Sequence, residues 1–138
     1  GRSYILSSII SIAGRPSESS NILRYAIAHR KDKMIYAYPA DQAPYAGTGK
    51  HFIGDFMNQP TNAMQGSVGV ACKLSHSVLY MTMKRVKRGQ YDITLIPMAE
   101  DASKFTPEEL LRKYYDLLEQ EIRETPSNWL WSHKRWKR

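Results

Sequence analysis

Apolar positions recur along the chain with two different spacings, and the alternation between them lays out the expected elements. Tyr4 to Ile12 is an apolar run too short for the roughly 20 residues that span a bilayer and without the basic flank of a signal peptide. It reads as internal protein sequence. Gly14 to Ser20 is turn chemistry, with Ser17 placed as an N-cap, and Ile22, Leu23, Ala26 and Ile27 then follow helical spacing to about Arg30. After the polar turn Lys31-Asp32-Lys33, the run Met34 to Tyr38 reads as a buried strand that Pro39 ends.

Residues 39–63 form a long connection rich in Pro, Gly, Asn and Gln, of the kind that is functional or disordered in compact domains. Its aromatic residues, Tyr45, Phe52 and Phe56, argue for order. Met64 to Leu74 predicts a closely packed helix of small residues, weakened by Gly66 and Gly69. Val78 to Met83 and Tyr91 to Ile96 predict an antiparallel hairpin joined through Lys84 to Gly89. The clearest helix starts at Thr106, where Thr106-Pro107-Glu108-Glu109 has the residues of a capping box with Pro at the first helical position. Leu110, Leu111, Tyr114, Leu118 and Ile122 form its apolar face, and Pro126 stops it. The pattern predicts an α/β fold in three layers, a mixed β-sheet flanked by helices, with residues 1–138 as one domain or a piece of one.

Composition adds a partner class. Hydrophobic residues at 42% and charged residues at 24% are those of a globular chain, one long enough to bury roughly 70% of its unfolded surface. Twenty Lys and Arg against 13 Asp and Glu leave a net charge of +7, which favours an anionic partner such as phospholipid headgroups, nucleic acid or an acidic protein. The single cysteine, Cys72, excludes a disulfide framework and a cysteine-based zinc site.

Candidate chemistry is sparse. The four histidines form no recognisable catalytic or metal pair, and His51 with Asp55 on a loop shares no guaranteed face. Gly47-Thr48-Gly49-Lys50 lacks the first glycine of a phosphate loop and the hydroxyl residue after its lysine. Two features stand out. Asp41 and Gln42 follow the end of a predicted strand, the edge at which open α/β sheets bind ligands, and a carboxylate beside an amide suits sugar or glycerol hydroxyls. An Asp capping the turn before Pro44 is the structural alternative. The second feature is a pair of basic clusters, Lys84, Arg85, Lys87 and Arg88 in the hairpin and Lys134, Arg135, Lys137 and Arg138 at the terminus. The terminal cluster alternates with Trp129, Trp131 and Trp136. Cations interleaved with indoles suit a membrane–water interface, and the same mixture suits single-stranded nucleic acid.

The terminal segment Trp129 to Lys137 resembles the closing signature of the lipid A biosynthesis acyltransferases, within the lysophospholipid acyltransferase superfamily. Pro39-Ala40-Asp41-Gln42 looks like that family's Asp-Gln motif at a strand end. Asp55 to Gln59, Gly66 to Leu74 and the basic hairpin Lys84 to Tyr91 resemble further family segments in the same order. The family's catalytic pair, a His followed five positions later by an acid, has no match here, because the residues five beyond each His are Met34, Phe56, Met81 and Arg138. The resemblance therefore implies the C-terminal portion of such a fold, with no catalytic residue in this chain and the His–acid pair and membrane anchor upstream of Gly1. It implies transfer of an acyl group from an acyl carrier protein thioester to a hydroxyl of a lipid A precursor, at the cytoplasmic face of the inner membrane. The piece alone is expected to be soluble, with no metal, cofactor or nucleic acid. Under this resemblance Asp41, Gln42, Lys84, Arg85, Lys87, Arg88, His133 and Arg135 are expected at the substrate, and Trp129, Trp131, Trp136 and Lys137 at the membrane surface.

Overall fold

A computed structural model describes residues 4–7, 19–32, 34–44, 51–129 and 131–136, with the side chains of 4–7 and 19–22 excepted. Its elements, in chain order, are β1 (Tyr4–Ser7), α1 (Ser19–Ala28), β2 (Ile35–Tyr38), β3 (His51–Phe56), β4 (Gln59–Ala63), α2 (Gly66–Lys73), β5 (Ser77–Lys87), β6 (Gln90–Ala99) and α3 (Pro107–Glu124). Single 3-10 turns lie at Ala102–Lys104 and Pro126–Asn128. The fold is mixed α/β, as the pattern predicts.

The main sheet has the order β2-β1-β5-β6. β1, from the apolar run whose structure the sequence left open, is an inner strand and pairs in parallel with β2 and β5. Ser7 lies beside Tyr38 on one side and Tyr80 on the other, so β1 and β2 end level with Tyr80 of β5. β5 then runs past that level to Lys87, paired with β6. The hairpin is longer than its apolar alternation predicts. Lys84 to Lys87 continue the strand, and the chain reverses at Arg88-Gly89, where Gly89 has φ +77°, a left-handed conformation that costs glycine little.

The long connection is where sequence and structure part. Residues 51–63 form a second, two-stranded sheet, β3–β4. Its turn places Met57 and Asn58 at φ 54° and 60°, as two-residue hairpins require. Between Phe52 and Asp55 the register shifts, and Gly54 has φ +91°. Arg112 of α3 reaches this bulge and donates to the carbonyls of Ile53 (3.0 Å) and Asp55 (2.8 Å), and Glu119 accepts from the Met57 amide (3.0 Å). Helix α3 thus supplies partners that a bulged two-stranded ribbon lacks.

That helix starts as its sequence predicts. Thr106 accepts from the Glu109 amide, and Glu109 accepts from the Thr106 amide (2.7 Å). Leu110, Leu111, Tyr114, Leu118 and Ile122 are buried, and Tyr115 joins them. Burying each such side chain is worth about 1.5–3 kcal/mol. Helix α2 buries Val68, Val70 and Ala71 over a slightly shorter span than predicted. Helix α1 ends at Ala28. Ala26 is in the core, whereas Ile27, expected on the buried face, is 46% exposed; Ser17 lies outside the described residues.

His76 enters the core just before β5, 4% exposed and stacked on Tyr36 with ring centroids 5.6 Å apart. Burial lowers its pKa below the ordinary 6.5. The folded state therefore holds neutral imidazole while the unfolded chain takes up a proton below pH 6.5. Stability is full above that pH and falls as pH drops below it. His76→Phe is expected to flatten this acid-side loss, read as the pH dependence of the urea midpoint against the parent chain.

Candidate functional site

Beyond the carboxyl ends of β2 and β1, against the stretch of β5 from Tyr80 to Arg85, lies a cavity of about 350 Å³, within the range of small-molecule sites. Asp41 contributes a half-buried carboxylate to its lining. From β5 come Tyr80, Met81, Met83 and Arg85, from β6 Tyr91, and from α3 Tyr114, Leu118, Glu121 and Ile122. Thr125, Ser127, Asn128 and Trp129 close it beyond α3. The lining therefore combines apolar side chains with two carboxylates and three phenols.

The polar part of the lining is largely organised before any ligand enters. Glu121 accepts from the hydroxyls of Tyr80 and of Thr82 (2.6 Å). Burial pushes the Tyr80 phenol far above its ordinary pKa, helped by the hydrogen bond to Glu121 and by the charges of Glu121 and Asp41. Tyr80 therefore remains a donor throughout the neutral range. Tyr114 is 2% exposed, and no group among the described residues bonds its hydroxyl. Burial raises its pKa too, and the nearby negative charge of Asp41 adds to the effect. Tyr114 and the Asp41 carboxylate thus border the same cavity, with the Tyr114 hydroxyl buried beside it.

Asp41 is held from both sides. The carbonyl of Ala40 accepts from the Tyr115 hydroxyl (2.8 Å), and the amide of Ala43 donates to Nε2 of His133 (3.2 Å). Arg135 in turn donates to the Tyr115 hydroxyl (2.9 Å) and to the Asn62 carbonyl (2.6 Å), with its guanidinium 5.5 Å from the Tyr115 ring centre. Burial raises the Tyr115 pKa, and the adjacent Arg135 charge opposes that rise. Trp136 donates to Thr61 (2.9 Å). Around Phe56 gather Tyr115, Trp129 and Trp136, at centroid distances of 5.0, 6.2 and 5.9 Å. The terminal segment is a brace that ties β3–β4 to the Asp41 loop.

Several residues expected from the sequence sit together here and others do not. Asp41 and Arg85 line the cavity, and Gln42 is half-buried next to Asp41. His133 touches the Asp41 loop through the Ala43 amide. Arg135, expected at substrate, is 4% exposed with its hydrogen bonds directed to internal groups. Trp129 and Trp136, expected at the membrane, turn their rings against Phe56, whereas Trp131 is 56% exposed. Lys84 pairs with Glu124 (3.6 Å), Lys87 and Arg88 are exposed near the hairpin tip, and Lys137 lies outside the described residues. His51 and Asp55 sit at opposite ends of β3, beside Ala63 and Pro60.

Tyr80, Tyr114, Tyr115 and Glu121 were missed as site residues. The phenols read as core in an apolar pattern, and only the tertiary fold aims their hydroxyls. No helix among the described residues is long and apolar enough to cross a membrane. The family model described as bacterial lipid A biosynthesis acyltransferase matches residues 12–138. No curated protein matches the chain.

Tyr115→Phe is expected to leave the Ala40 carbonyl and one Arg135 N–H short of a partner, at a cost of about 1–3 kcal/mol. Urea unfolding should report that loss, and hydrogen exchange at the Ala43 amide should quicken. Lys87→Ala, at the exposed tip, should stay within about 0.5 kcal/mol of the parent.

Proposed function

We propose a specific role for this chain, which belongs to the bacterial lipid A biosynthesis acyltransferases: it binds and orients the hydroxyl-bearing acceptor for acyl transfer. The observation that carries this reading is the half-buried Asp41 carboxylate in the lining of a cavity beyond the ends of β1 and β2. Asp41 accepts from the acceptor's sugar hydroxyls, with Gln42 beside it. Met81, Met83, Leu118, Ile122 and Trp129 provide an apolar wall for an acyl chain. At the rim, Arg85 meets a phosphate of the lipid A precursor, as a guanidinium does well, with Lys84, Lys87 and Arg88 extending the positive field.

The reaction is attack of the acceptor hydroxyl oxygen on the carbonyl carbon of an acyl thioester. The C–S bond breaks, the acyl group becomes an ester, and the hydroxyl proton passes by way of a base to the departing thiolate. In this reading the base is the His of the family's His–acid pair, contributed from outside these residues. The thioester is carried by an acidic acyl carrier protein, a partner that the chain's net positive charge favours. What Asp41 supplies is position. The hydroxyl is presented in one orientation, and the loop that presents it is braced at Ala40 and Ala43.

Asp41→Ala in the full-length enzyme is expected to lower turnover about 100-fold, the scale on which lost positioning is felt, with the thermal midpoint little changed. Near-parental turnover in a folded variant would remove Asp41 from the site.

A further inference from the structure

Beyond Tyr80, β5 and β6 leave the sheet as a two-stranded ribbon whose two faces differ. Cross-strand pairing sets Met83 opposite Ile93, Arg85 opposite Tyr91 and Met81 opposite Leu95, so these side chains share one face. The other face holds Thr82 and Lys84, which meet Glu121 and Glu124 of α3. On the first face Met83, Tyr91, Ile93 and Leu95 are 36–58% exposed. Four large apolar side chains in a contiguous patch on a projecting ribbon mark a contact surface.

We propose that this face of the ribbon docks the protein on an anionic lipid bilayer. Charge selects the partner. Lys84, Arg85, Lys87 and Arg88 stand at the distal end against Asp92 and Glu124, the latter paired with Lys84, a net +2 from four cations and two anions. Two copies packed ribbon to ribbon would bring these like charges together. A soluble acidic protein would satisfy the cations but leave the apolar row in water. A bilayer surface meets both, with phosphates for the cations and the acyl boundary for Met83, Ile93 and Leu95. Tyr91 suits the headgroup level, where tyrosine is enriched. Open strand edges carry unpaired backbone groups that hydrocarbon does not tolerate, so the ribbon lies flat and shallow. Met83, Arg85 and Tyr91 also line the cavity, which places its mouth beside the lipid phase. Docking by the ribbon is independent of whether the crevice carries acyl transfer.

The test is sedimentation of the purified 138-residue chain with vesicles of phosphatidylcholine, with and without phosphatidylglycerol. Binding is expected to the anionic vesicles. It should weaken by about tenfold or more in Ile93→Glu/Leu95→Glu and, separately, in Lys87→Glu/Arg88→Glu, since one surface cation is worth about fivefold. An environment-sensitive fluorophore on Ile93→Cys, with Cys72→Ala, should shift to the blue on anionic vesicles, while the same label on Ser103→Cys should not. That label decides the matter if the glutamate variant fails to fold. Loss of binding in the charge variant alone, with Ile93→Glu/Leu95→Glu unaffected, would overturn the proposal. So would no binding to anionic vesicles, an unshifted label at 93, or a concentration-dependent dimer that the Ile93→Glu/Leu95→Glu variant abolishes.

Discussion

The hydroxyl of Tyr115 is the point on which the site depends. It donates to the Ala40 carbonyl and accepts from Arg135, in a place water does not reach freely. A backbone carbonyl leaving a parallel strand has no ladder partner, and buried without one it would cost as much as a lost hydrogen bond. Tyr115 supplies the partner from α3, and Arg135 then fixes the phenol in one orientation. Residues far apart in sequence, at 40, 62, 115 and 135, are joined by a few directional bonds. Asp41 is positioned as a consequence.

This geometry explains how a segment rich in Arg, Lys and Trp turns Arg135 and the rings of Trp129 and Trp136 inward. Indoles and guanidinium groups carry large flat surfaces with N–H donors at their edges. They can cover apolar neighbours while satisfying buried acceptors. Trp136 does both against Phe56 and Thr61, and Arg135 does both against Tyr115 and Asn62. The surface that remains suited to an anionic partner is the β5–β6 ribbon, whose cations stay exposed and whose Tyr91, Ile93 and Leu95 are about half exposed.

Legibility followed the range of the interactions. Helix α3 was readable to the residue at its start, since the capping box and the apolar stripe are local in sequence. Asp41 was singled out because it follows a strand end, and it does line the cavity. β3–β4 was not readable. Gly54, Asn58, Pro60 and Asn62 have the composition of a loop, and the strands pair around a bulge that Arg112 fills from more than fifty positions away. The direction of the phenols was hidden for the same reason. A buried tyrosine and a buried leucine leave one periodic signature, and only a packed neighbour decides whether the hydroxyl meets a carbonyl, a carboxylate or a ligand.

The sequence by itself determined the mixed α/β class, the position and face of α3, the basic hairpin and the family likeness, because each is written in spacings of a few residues or in an ordered set of short motifs. The tertiary structure decided that β1 is an inner strand, that β2 and β1 end level beside Tyr80 of β5, and that the terminal segment braces the Asp41 loop. Those facts depend on hydrogen bonds and burial between distant parts of the chain, and no local pattern of residues carries the distance or direction of such a contact.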